Sequence, residues 1–170
     1  MAGQLVQVAT ETVTSAVASV TLTGIDSDDV YMVSISNSFI ASAQDYLYMR
    51  VTKSGTADTT SNYDYAGKLL RTPGFNNKSG TNADKWQTWL SGTSSNVNTT
   101  DNGIFYLYNF NSSSEYSFVT SELVGTNPTE VLEGLQGGMV HTVASASDGV
   151  SFNYNSGNIQ QGTFTLYKVV

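Results

Sequence analysis

Cysteine is absent from the 170 residues. Disulfide frameworks, thiolate metal sites and cysteine nucleophiles are excluded together, and such a chain suits folding in a reducing cytosol. The single histidine, His141, cannot build a zinc site without such partners. Charge is scarce as well. Asp, Glu, Lys and Arg make up 12% of the chain, about half of the usual ~25%. The 7 bases are scattered from Arg50 to Lys168 and the net charge is −7, so there is no basic stripe to neutralise phosphates and nucleic acid is not an expected partner. Proline occurs only at Pro73 and Pro128. No apolar run approaches the ~18 residues of a spanning helix, so no membrane is expected as a partner. The opening MAGQLVQVATETV has neither the basic nor the apolar region of a secretory signal, which predicts synthesis in a cytoplasm.

What is present is alternation with a period of two, the mark of half-buried strands. Val20 and Leu22 alternate with Ser19, Thr21 and Thr23. Tyr31, Val33 and Ile35 share one side of 30–36. In DYLYMRVT (45–52), Leu47, Met49 and Val51 are expected inside, with Tyr46, Tyr48, Arg50 and Thr52 outside. GIFYLYNF (103–110) is apolar or aromatic almost throughout, which reads as a strand covered on both sides. Further strands are expected in 115–121, 138–145, 150–154 and 162–170. Residues 53–62, 72–84 and 91–103 read as loops by composition. TEVLEGLQGG (129–138) could form one or two helical turns behind Pro128, and 84–90 a strand or extended loop. The fold class that follows is all-β, an antiparallel β-sandwich of the jelly-roll kind. Residues 1–14 form an N-terminal arm or first strand, and 15–170 a single sandwich domain.

Chemistry is thin. His141 lacks a serine in a nucleophile context and is expected on the half-exposed side of a strand. The cluster Asp26-Ser27-Asp28-Asp29 has carboxylates enough to suggest calcium but not the spacing of a calcium loop, and a turn after Ile25 explains it. Glu115, Glu122, Glu130 and Glu133 could in principle supply a carboxylate pair for glycoside hydrolysis; solvated loop acids are the expected reading. The Asn98-Thr99-Thr100 sequon means little without a secretory route. No cofactor and no metal are expected. Ten tyrosines and two tryptophans are of the types enriched at protein contacts. Tyr46, Tyr48, Tyr63, Tyr65, Trp86 and Trp89, with Leu5, Val6 and Val8 of the first run, are therefore the expected partner-contact residues.

SAVASVTLTGI (15–25) and GTFTLYKV (162–169), with DYLYMRV and TTSNYDYAG between them, resemble small virion proteins of tailed phages, marine and cyanobacterial ones among them. Lys168 stands where a glycine often follows the Leu-Tyr pair of that group. The resemblance implies a non-enzymatic virion component, a capsid cement or decoration protein bound to the outside of the major capsid protein lattice, commonly as a homotrimer. It also leaves a fibre-tip or tail adaptor protein reading host glycan or protein. The charge-poor, Ser/Thr-rich exterior and the absence of heptads fit the cement reading better. Residues 4–13 would then be an arm that adds to a neighbour's sheet edge.

Overall fold

The computed structural model describes residues 3–40, 45–72, 74–92, 100–127 and 130–170, without the side chains of 89–92. Thirteen strands follow one another: β1 (Leu5–Val13), β2 (Ser19–Thr23), β3 (Tyr31–Ile40), β4 (Asp45–Lys53), β5 (Thr56–Ala57), β6 (Tyr63–Arg71), β7 (Gly74–Ala83), β8 (Trp86–Gly92), β9 (Asp101–Tyr108), β10 (Ser117–Thr126), β11 (Leu132–His141), β12 (Gly149–Asn153) and β13 (Ile159–Val169). There is no helix among the described residues.

One sheet has the order β1-β13-β3-β9-β10-β11-β6-β7; the other has β2-β12-β4-β5, with β8 also paired to β4. Setting β5–β7 and β10–β11 aside leaves eight strands. Their order is first, eighth, third, sixth in one sheet and second, seventh, fourth, fifth in the other. This is the double Greek key of a jelly-roll sandwich. The two insertions extend the larger sheet past β9 into a wing made of β10, β11, β6 and β7.

The core lies between the sheets. Phe152 of β12 meets Phe105 of β9 at 5.9 Å and Phe164 of β13 at 5.4 Å between ring centroids, and all three are fully buried. Under the wing, β8 takes over. Trp86 is buried, packs edge-on against Tyr63 at 5.1 Å, and its Nε1–H donates to the Val140 carbonyl at 3.0 Å. Gly149 keeps β12 close to β2, since a Cβ there would stand 2.0 Å from the Leu22 carbonyl oxygen. The chain ends are joined: Gln4 N–H donates to Val170 O at 2.7 Å and Val170 N–H to Gln4 O at 3.0 Å.

Several expectations change. Of the two readings of 1–14, arm or first strand, residues 5–13 are the first strand, since β1 pairs along its length with β13 and leaves only its other edge open. Residues 72–84 are largely β7, a polar edge strand whose backbone pairs with β6 although its side chains pack little. The helical turns expected in 129–138, of which residue 129 lies outside the described residues, give way to β11 from Leu132 on, held by ladders to β10 and β6 on both edges. Loop 53–62 holds β5 behind a tight turn in which Ser54 and Gly55 both have positive φ, as a two-residue hairpin requires. Of loop 91–103, residues 93–99, with the sequon asparagine Asn98, lie outside the described residues.

Candidate interaction surface

Chemistry-bearing side chains gather in three places. The first is His141, fully buried on the inner side of β11 and not half-exposed. Its ring faces Tyr63 at 4.7 Å and Trp86 at 6.5 Å, and Asp58 Oδ2 lies 3.6 Å from Nε2. Burial pushes the imidazole pKa down, only partly opposed by Asp58. Ser117 stands opposite His141 in the ladder and is equally buried. Serine and histidine are thus buried side by side with the half-buried Asp58 near the ring, but Ser117 Oγ and both His141 ring nitrogens make no hydrogen bond, so they are not linked as nucleophile and base.

The second place is the buried pair Asp101 and Glu133. Glu133 is 1% exposed and forms an ion pair with Arg71 at 2.5 Å, so it is no solvated loop acid. Asp101 is 2% exposed and accepts from the Tyr154 hydroxyl at 3.2 Å, which lies 3.4 Å from Ser38 Oγ. Burial lifts the Asp101 carboxyl to about 7, against the Tyr154 bond and with some help from the charge of Glu133. The third place is the acidic turn at 26–29. Lys168 Nζ sits 2.7 Å from Asp29 Oδ2 and 2.9 Å from Ser27 Oγ, filling the position a cation would take. The hydrogen bond from Lys168 leads the causes that lower the Asp29 pKa. Among the described residues no group of three or more His, Asp or Glu side chains is arranged to hold a metal, and no helix is long and apolar enough to cross a membrane.

The expected contact residues divide. Leu5 and Val6 are exposed on β1. Val8 is half-buried and packs on the core. Tyr46 is half-buried. Tyr48 is buried, because the β7–β8 turn folds over β4: Arg50 reaches Asp84 at 2.7 Å and the Lys85 ammonium lies 4.5 Å from the Tyr48 ring centroid. Thr52, also expected outside, is buried and donates to Asp148. Tyr63 and Trp86 are core residues, while Tyr65 is half-buried against the core. The side chain of Trp89 lies outside the described residues. Tyr48, Tyr63 and Trp86 are therefore not surface contacts: Tyr48 lies under the β7–β8 turn, and Tyr63 and Trp86 are in the core.

A different surface emerges, and no single stretch of sequence shows it. Among the described residues nothing covers the outer face of the wing. Alternate residues of β10 are buried below it, while Phe118, Thr120, Glu122 and Val124 point out. Leu70, Phe75 and Leu132 join them from β6, β7 and β11. Gly138 and Gly134 floor two hollows along β11. The first, of about 510 Å³, is walled by Phe118, Val140, Ala66 and Thr120. The second, of about 420 Å³, is walled by Leu70, Val124 and Leu132. Between them Gln136 Nε2–H donates to Glu122 at 3.1 Å. The two-sided apolar pattern of β9 was the available signal: Phe105 and Leu107 are buried, whereas Ile104, Tyr106 and Tyr108 line the uncovered side. Large contiguous exposed apolar patches are the kind of surface that proteins use for contacts.

No protein family, curated protein or solved structure matches the chain.

Proposed function

We propose that this protein is a non-catalytic structural component of a tailed-phage particle, a cement protein that lies on the outside of the major capsid lattice. The observation that carries the reading is a fold that leaves two surfaces unpaired among the described residues, the outer face of the wing for contact between copies and the open edge of β1 for another protein, while its ionisable clusters are internal or already paired. Such a body works by lying against other protein surfaces. Binding only the assembled lattice would stabilise that lattice by mass action. The open edge of β1, with Leu5 and Val6 exposed beside it, offers a second place of attachment by strand addition. The resemblance favours a homotrimer; the geometry of the wing favours a twofold contact.

The alternative, a tail component reading glycan or protein on the host, has less support. It needed aromatic side chains beside long loops, and Tyr63 and Trp86 are in the core while much of 72–84 is strand. The experiment is to locate and count the chain in purified particles. Copies in the hundreds on the capsid exterior, with heat resistance lost when the gene is deleted, support the proposal. About a dozen copies at the tail, or none, reject it.

A further inference from the structure

We infer that two copies of this chain pair face to face through the outer side of the wing, about a twofold axis lying along β11. The inference stands on strand register alone and does not depend on the capsid reading. β11 is the middle of five strands, in the order β9-β10-β11-β6-β7. The ladders place their outward residues in cross-strand rows. One row is Ile104, Glu122, Gln136, Lys68 and Asn77; the next is Asn102, Val124, Gly134, Leu70 and Phe75.

A twofold axis along β11 exchanges the two sides of each row. Glu122 on β10 then faces Lys68 on β6 of the second copy, and Lys68 faces the other Glu122. In the next row Val124 meets Leu70 in both directions, over facing glycines at 134. In the row of Gly138, Thr120 meets Ala66. Asp64, Lys68 and Glu122 are the charged side chains on this face among the described residues. Asp64 lies towards one end of the ladder, in the row of Phe118 and Val140, where its carboxylate can stay in water. The central acid and the central base occupy one row on opposite sides of the axis, so the symmetry that buries the apolar rows also pairs the charges. The aligned packing of two sheets, about 10 Å apart and within about 30° of parallel, accommodates this.

The area suffices. Five strands about 4.8 Å apart and a ladder of ten residues at about 3.4 Å each give roughly 800 Å² per copy. That is roughly 1,600 Å² in total, the size of a standard specific interface. Covering three quarters of the face still reaches about 1,200 Å², its lower bound.

The test is sedimentation equilibrium of the purified chain with charge reversals on that row. The native chain should weigh twice 18.2 kDa. Glu122→Lys and Lys68→Glu, each alone, should weaken the dimer about tenfold or more, since each places like charges together twice per interface. The double variant should restore most of the affinity. Unchanged circular dichroism and melting at low concentration keep folding out of the comparison. A native chain that stays monomeric at roughly 100 μM, weaker than a specific interface of this size should be, overturns the inference. So does a trimer indifferent to both reversals, or a double variant no better than the singles. None of these results bears on whether the chain is found on capsids.

Discussion

Replacing Asp101 by asparagine should stabilise the protein in alkali and leave it nearly unchanged in acid. The folded chain holds this carboxyl in the interior, with a tyrosine hydroxyl as donor and a second acid close by. Its pKa rises from 3.8 to about 7, with burial as the largest cause. A group whose pKa is raised by folding contributes fully below the unfolded value, here 3.8, and loses that contribution as pH climbs through the folded value. At about 1.4 kcal/mol per tenfold change in proton affinity, the penalty above pH 7 has a ceiling of about 4 kcal/mol. Relaxation and water penetration lower such penalties, so about 2–4 kcal/mol is expected. Asparagine has the same shape, its carbonyl still accepts from Tyr154, and it cannot ionise. Urea unfolding at fixed protein concentration should put Asp101→Asn within about 1 kcal/mol of the native chain at pH 5 and about 2–4 kcal/mol above it at pH 8.5. In melting temperature the alkaline gain is about 5–15 °C for a chain of this size. Acid destabilisation from His141 is common to both proteins and cancels in the difference. A variant whose effect is the same at both pH values would refute the reasoning.

The remaining predictions follow the same geometry. His141 is neutral and buried, so the stability it confers is present above the unfolded pKa of about 6.5 and is lost as pH falls. Its NMR titration midpoint should lie below that value, and His141→Phe should flatten the stability profile between pH 6.5 and 4.5. Removing Arg71 as Arg71→Met takes the arginine charge away from the buried Glu133 and should cost about 3 kcal/mol, less than a fully buried pair because Arg71 is partly exposed. Adding Glu133→Gln should recover most of that loss in denaturant titrations. Phe152→Ala removes the ring that links the sheets and should cost about 3–5 kcal/mol in calorimetry or urea unfolding. Gly149→Ala should part β2 from β12, visible as lost amide protection in hydrogen exchange along both strands.

Period-two alternation is a local property, and it is where the sequence spoke most clearly. Leu47, Met49 and Val51, or Val20 and Leu22, declare an inner face whatever the partner strand is. The outer side of β4 was misjudged for a physical reason. Tyr48 and Thr52 read as exposed, yet the distant turn at Asp84-Lys85 lies over Tyr48, with Arg50 bonding back to it, and Thr52 is tied to Asp148. The start of β11 read as helical because Val131, Leu132 and Leu135 fit a helical face, whereas its end, from Gly138 on, read as strand. Two ladders supply the backbone partners that decide the matter. The burial of His141 and Glu133 was illegible for the same reason, since each depends on an insertion that closes over it.

Scarce charge, absent cysteine and alternating β-branched and aromatic residues were enough to determine an antiparallel two-layer body, because each acts over a few residues of chain. Which strands became neighbours, which aromatics were hidden, and which apolar face was left open were decided only when distant segments paired. Those pairings bring together residues separated by as many as 164 positions, Leu5 and Val169, and no local pattern carries that information.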